Sequence, residues 1–189
     1  MEYKDNILGP NQFSKLSQIL NDSNMPFFFH EATAYLEDRP ESIYDYSFSH
    51  LIYMDGQVFS QLSNYVEGCV RAALDNAGEK INELWRIRVG LCTGQRETVV
   101  HTPHIDYNKP HKSALLYMND TDGDTIFYNE FHDPKDINTY ELTKNNTYTE
   151  YKRVTPKANR FVWFDGLRYH SSSTPVNTAK RLVININYV

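Results

Sequence analysis

Trp85-Arg86-Ile87-Arg88-Val89-Gly90-Leu91-Cys92 is where the period of this chain changes to two. Residues i and i+2 of a strand share a face. One face is therefore predicted to carry Trp85, Ile87, Val89 and Leu91, and the other Arg86, Arg88, Gly90 and Cys92. Upstream the spacing is helical. Phe13, Leu16, Ile19 and Leu20 recur at helix intervals, and residues 56–76 place Val58, Phe59, Leu62, Tyr65, Val66, Cys69, Val70 and Ala73 on one stripe. Gly78 is a natural stop for that helix. Residues 27–30, Phe-Phe-Phe-His, read as a strand or an aromatic plug.

Downstream, short strands are predicted at 97–101, 113–118, 124–129, 147–154, 160–164 and 182–188. They are separated by turn-forming runs such as Asn119-Asp120-Thr121-Asp122-Gly123 and Pro156-Lys157-Ala158-Asn159. Helices followed by many short strands predict a mainly β chain, a jelly roll with N-terminal helices packed on one sheet. The expected organisation is a single domain over 1–189, with a mainly helical support segment (1–80) and a β core (81–189). The long helix needs an apolar sheet face, which residues 85–91 can offer. The opposite face then holds Arg86 and Arg88. If it lines an interior cavity, the two arginines require anionic or carbonyl partners. They would then contact a substrate, Arg88 foremost, or order the loops 94–99 and 167–169. The alternative is a sheet-end strand with solvated arginines.

Composition narrows the function. The 189 residues carry 19 basic and 24 acidic groups, a net charge of −5, which disfavours phosphate-backbone binding as the main activity. Cys69 and Cys92 lie in apolar stretches and form no disulfide framework or CxxC pair. No leader-like apolar run opens the chain, and no stretch approaches the ~20 apolar residues of a membrane span. The expectation is a soluble, cytoplasmic protein with no nucleic-acid or membrane partner.

His104-Ile105-Asp106 is the chain's one His-x-acid triplet. Composition alone predicts about one by chance, so context has to carry its meaning. Pro103 precedes it and Asn108-Lys109-Pro110 follows, which puts it at a strand end with both ligating side chains on one side. His170 follows in a loop-like stretch after Phe161-Val162-Trp163-Phe164, and Arg181 opens an apolar strand. Two histidines and one carboxylate can occupy one face of an iron(II) and leave the other face open. Arg181 offers a fixed fork for a carboxylate. His30, His50 and His132 read as surface or hydrogen-bonded residues. His101 reads as exposed, or as a donor behind the ligands.

On these residues the chain resembles the iron(II)/2-oxoglutarate dioxygenases, in particular their prolyl-hydroxylase-like branch. The resemblance runs from about Trp85 to Val189. It rests on His104-Ile105-Asp106, Leu116-Tyr117-Met118-Asn119, Asp122-Gly123-Asp124-Thr125, the run from Val154 to Phe164, and the run from His170 through Pro175 to Ile184. It implies a double-stranded β-helix with His104, Asp106 and His170 as catalytic iron ligands. It also implies that Arg181 and Tyr117 bind the distal carboxylate of 2-oxoglutarate. O2 would be the oxidant and ascorbate an optional reductant. The implied reaction is hydroxylation of an unactivated C–H bond, of a prolyl residue in a peptide or protein, or of a free amino acid or small metabolite. Departures from the family pattern are Gly123-Asp124-Thr125 where two glycines are common, Asn159 in the turn before Arg160, and Ala179 two residues before Arg181. Asp106 fills the position that halogenases leave open. Asn187 stands where demethylases of nucleic acids carry a second arginine. Two readings compete with the oxygenase: a zinc hydrolase on the same ligands, and a non-catalytic jelly-roll binding or structural module.

Overall fold

In a computed structural model that describes residues 1–35 and 44–189, the alternating stretch forms strand β5 (Leu84–Thr93) inside an eight-stranded sheet. The order across that sheet is β1 (Glu2–Lys4), β9 (Phe161–Asp165), β6 (Lys112–Tyr117), β11 (Lys180–Tyr188), β5, β3 (Ser47–Met54) and β2 (Phe28–His30). A short β4 (Gln57–Val58) pairs with β3. A second sheet runs β10 (Arg168–Ser172), β7 (Thr125–Phe131), β8 (Glu150–Val154). The pairings are antiparallel. This is the predicted jelly roll.

The period of two sorts each strand between two cores. On the outer face Ile87, Val89, Leu116, Ile184 and Ile186 are fully buried. They pack with Leu16 of α1 (Pro10–Leu20) and with Val66, Val70 and Leu74 of α2 (Ser63–Asn76). Each such side chain contributes about 1.5–3 kcal/mol on burial. On the inner face Leu115, Tyr117, Val162, Phe164 and Val183 meet Phe127 and Val154 of the smaller sheet. Helices thus cover one face of the large sheet, and the small sheet encloses a cavity against the other. Gly78 has φ +78°, and Glu79 N–H donates to Leu74 O, which closes α2 as predicted. Asn159 sits at φ +63°, and its amide bonds both the N–H and the carbonyl of Leu8. Among the described residues no helix is long and apolar enough to cross a membrane.

Several expectations need correction. The helix predicted from 56 begins at Ser63. Asp55 and Gly56 both have positive φ and turn β3 into β4 as a two-residue hairpin. Val58 and Phe59 consequently lie exposed. The Asp-Gly dipeptide was the available signal, and the apolar spacing around it masked it. Segment 1–80 is mixed rather than mainly helical, since β3 lies in the body of the large sheet. Residues 97–101 form no strand, only an isolated bridge from Val100 to Ser173. Trp85 leaves the face of Ile87 and Val89. The β5–β11 register shifts there, so Leu84 pairs with Tyr188 and joins the helix-facing core. The Trp85 ring instead stacks on His111 and meets Tyr107 edge-on.

Candidate metal centre

His104 and His170 are neighbours because the backbone makes them so. Each N–H donates to the other's carbonyl, at 2.9 and 3.0 Å. His170 lies in β10 rather than in the expected loop. The fold therefore joins residues far apart in sequence through a single antiparallel bridge. Asp106, two residues beyond His104, turns the same way. The ligating atoms of His104, Asp106 and His170 all lie within 4.8 Å of one another.

The protonation pattern suits a cation. His104 Nδ1 faces Thr102 O and His170 Nδ1 faces Arg168 O, each at 3.1 Å. A carbonyl only accepts, so each Nδ1 carries the proton and each Nε2 keeps its lone pair. Burial, and then the charge of neighbouring His170, push His104 down to about 4. Burial likewise pushes His170 down. Both imidazoles are neutral near pH 7, the form that can bind a metal ion. Burial would raise the Asp106 carboxyl, but Arg86 first, then His170, His104 and Arg88, hold it well below the usual carboxylate range. Two neutral imidazoles and one carboxylate fit iron(II) and other divalent ions of similar preference.

Asp106 is held in place from several sides. Arg86 Nη2 donates to Oδ1 at 2.5 Å. Oδ2 accepts from Asn187 at 2.9 Å and, more weakly, from Ser113 at 3.2 Å and Asn185 at 3.3 Å. Arg86 also donates to Asn185 and Asn187. It is a tether for the carboxylate. Asn187, noted in the sequence only for not being arginine, is one of the closest donors to Asp106.

At the far end of the same cavity Arg181 is 4% exposed. Its Nε donates to Gly123 O and its Nη2 to Thr125 Oγ1. A Cβ on Gly123 would lie 2.8 Å from Ser173 O and 3.1 Å from Arg181 Cδ, so glycine is required for this approach. Tyr117 is fully buried, and its hydroxyl donates to Thr125 Oγ1 at 2.6 Å. Thr125 thereby accepts twice and keeps its own proton for an acceptor in the cavity. Thr125 and Arg181 line that cavity together with His104, His170, Arg88 and Asn185. Thr125 ends the run Asp122-Gly123-Asp124-Thr125, and nothing local to that run marks it as a cavity residue. The exposed reading of His101 does not hold, since it is 1% exposed and bonded to Ser172. Arg88 faces the same interior, where it lines the cavity. Cys69 and Cys92 are free and buried.

No family model matches the sequence, and no curated protein matches it. Solved structures do. A prolyl hydroxylase from Trichoplax adhaerens, in complex with a peptide of the hypoxia inducible factor oxygen degradation domain, is 17% identical. The match has a TM-score of 0.61 and covers 99% of this chain and 82% of that one. A 2-oxoglutarate-iron(II) oxygenase family oxidoreductase from Burkholderia pseudomallei is 10% identical, with TM-score 0.66 and coverage of 96% and 80%. HygX from Streptomyces hygroscopicus, with nickel and 2-oxoglutarate bound, is 10% identical, with TM-score 0.59 and coverage of 98% and 81%. At these identities the likeness is one of architecture: the chain has the fold of the 2-oxoglutarate-iron(II) oxygenases.

Proposed function

We propose that this protein is an Fe(II)- and 2-oxoglutarate-dependent dioxygenase that hydroxylates an unactivated C–H bond. The observation that carries the reading is the set of His104, Asp106 and His170, with both Nε2 atoms free, at one end of a cavity whose other end is Arg181. His104, Asp106 and His170 would hold the iron, which with O2 and 2-oxoglutarate supplies the oxidising chemistry. Arg181 and the free Thr125 proton bind the distal carboxylate of the co-substrate, with Tyr117 acting through Thr125. Arg86, Asn187 and Ser113 keep Asp106 oriented. Val183 and Leu115 give the cavity an apolar wall beside these groups, and Phe164 packs against the His170 ring.

Two substrate classes fit this chemistry. A prolyl residue in a peptide follows from the resemblance, and the Trichoplax enzyme is bound to a peptide. A free amino acid or other small metabolite is favoured by a specific observation: Arg88 lines the cavity with His104 and His170, and its buried Nε has no hydrogen-bond partner among the described residues. The test of the reaction class is anaerobic loading with Fe(II) and 2-oxoglutarate, followed by O2 and a succinate assay. Iron-dependent succinate is the expected result. Zinc retention with no 2-oxoglutarate binding would refute it in favour of a hydrolase, and indifference to both metals would leave a binding module.

A further inference from the structure

Arg88 stands opposite Asn185 on β11, on the inner face of the large sheet. It lines the cavity with His104, His170 and Asn185. Its Nε is buried without a hydrogen-bond partner among the described residues, and no described carboxylate forms an ion pair with it. The carboxylate whose charge reaches it, Asp106, is already engaged, because it accepts from Arg86, Asn187, Ser113 and Asn185. Burial, and then the charge of Arg86, push the Arg88 guanidinium down from its ordinary range. Arg88 as a whole is only part-buried, but a buried N–H left without an acceptor costs about 1–3 kcal/mol. A fold bears that cost where a ligand supplies the missing acceptor, and a planar fork matches a carboxylate.

The co-substrate is too short to span the points at which the two arginines leave the sheet. Arg181 lies opposite Cys92 and Arg88 opposite Asn185. The two arginines therefore leave the sheet four residues apart along paired strands, about 13 Å at the rise of a strand. The carbon chain of 2-oxoglutarate has four C–C bonds, a contour of about 6 Å. An anion held at Arg181 ends short of the point where Arg88 leaves the sheet.

We propose that Arg88 receives a carboxylate of the primary substrate, so that the molecule oxidised is a small anion of the free amino acid type. This deepens the dioxygenase reading and rests on it for the word substrate. The anion site itself stands on the geometry of Arg88.

The test uses the full chain loaded with Mn(II) and 2-oxoglutarate under nitrogen. Free L-amino acids and their primary amides are titrated by calorimetry and by thermal shift. At least one acid is expected to bind, with its amide weaker by tenfold or more. Arg88→Met should abolish that acid preference, and Arg88→Lys should restore part of it. In the metal-free protein Arg88→Met should melt no lower than wild type, because an apolar chain replaces a side chain whose buried N–H has no acceptor. Equal binding of acids and amides, or no binding of either, overturns the proposal. So does an Arg88→Met protein that keeps the preference or melts well below wild type. A tenfold loss of 2-oxoglutarate affinity in Arg88→Met would also overturn it, by assigning the arginine to the co-substrate. The acid preference is read in the metal-free protein as well. A wild type that ignores 2-oxoglutarate yet prefers acids refutes the dioxygenase and leaves the anion site standing.

Discussion

Replacing Arg86 by Met tests whether the candidate metal site is held together by charge before any metal is added. Arg86 donates to Asp106 at 2.5 Å, and the two side chains are 14% and 3% exposed. Unit charges about 4 Å apart attract by about 4 kcal/mol at an effective dielectric constant near 20. Removing one member of a buried pair generally costs about 3–5 kcal/mol, because the other is left uncompensated. Asn187, Ser113 and Asn185 still donate to Asp106, so the lower end, about 3 kcal/mol, is expected. For a chain of this size each kcal/mol moves Tm by about 2–4 °C, so metal-free Arg86→Met should melt about 6–12 °C below wild type. A divalent ion supplies the missing positive charge. The rise in Tm on adding Mn(II) should therefore be larger in Arg86→Met than in wild type. Differential scanning calorimetry with and without Mn(II) measures both quantities. A metal-free melt within about 2 °C of wild type, or a smaller response to Mn(II), would refute the reasoning. Arg86→Lys, which keeps the charge and loses the fork, should fall between the two and serves if Arg86→Met does not fold.

His170→Ala should abolish Mn(II) binding and iron-dependent succinate formation while the far-ultraviolet circular dichroism stays that of a folded β protein; retained turnover would remove His170 from the ligand set. Arg181→Lys loses the fork that engages Gly123 O and Thr125, and 2-oxoglutarate affinity should fall by about 1.5–3 kcal/mol, roughly tenfold to 150-fold. Tyr117→Phe, which removes one donor to Thr125, should cost less, about 0.5–1.5 kcal/mol; unchanged calorimetric affinity in both variants counts against the carboxylate site. Burial would raise the Asp122 carboxyl, but the N–H groups of Asn177 and Val176 and the Thr178 hydroxyl hold it at about 2. A group depressed by folding stabilises above its unfolded pKa, near 3.8, and loses that contribution as pH falls through 2. Asp122→Ala should therefore be less stable than wild type at pH 6, with a gap that narrows from about pH 4 downward; a gap independent of pH in denaturant titrations would exclude the carboxylate as its source.

Much of the architecture was legible along the chain because it depends on neighbours in sequence. Alternation in 85–92 and 182–188 separates helix-facing residues such as Ile87 and Ile184 from inward ones such as Arg88 and Asn185, since consecutive side chains of a strand oppose one another. Where a turn interrupted the pattern, at Asp55-Gly56, or a bulge shifted it, at Trp85, the same reasoning placed side chains wrongly. Apolar spacing cannot register one inserted residue or a change of backbone sign.

His104 and Asp106 were adjacent enough for sequence alone to pair them, and the tolerance of Asn159 for positive φ was readable from its residue type. Only the tertiary structure decided that His170 bridges to His104, that Arg86 clamps Asp106, that Thr125 stands between Tyr117 and Arg181, and that the Nε of Arg88 is buried without a hydrogen-bond partner among the described residues. Those facts depend on the register between strands and on the closure of one sheet over another. They are set by the packing of the whole core, which no local period encodes.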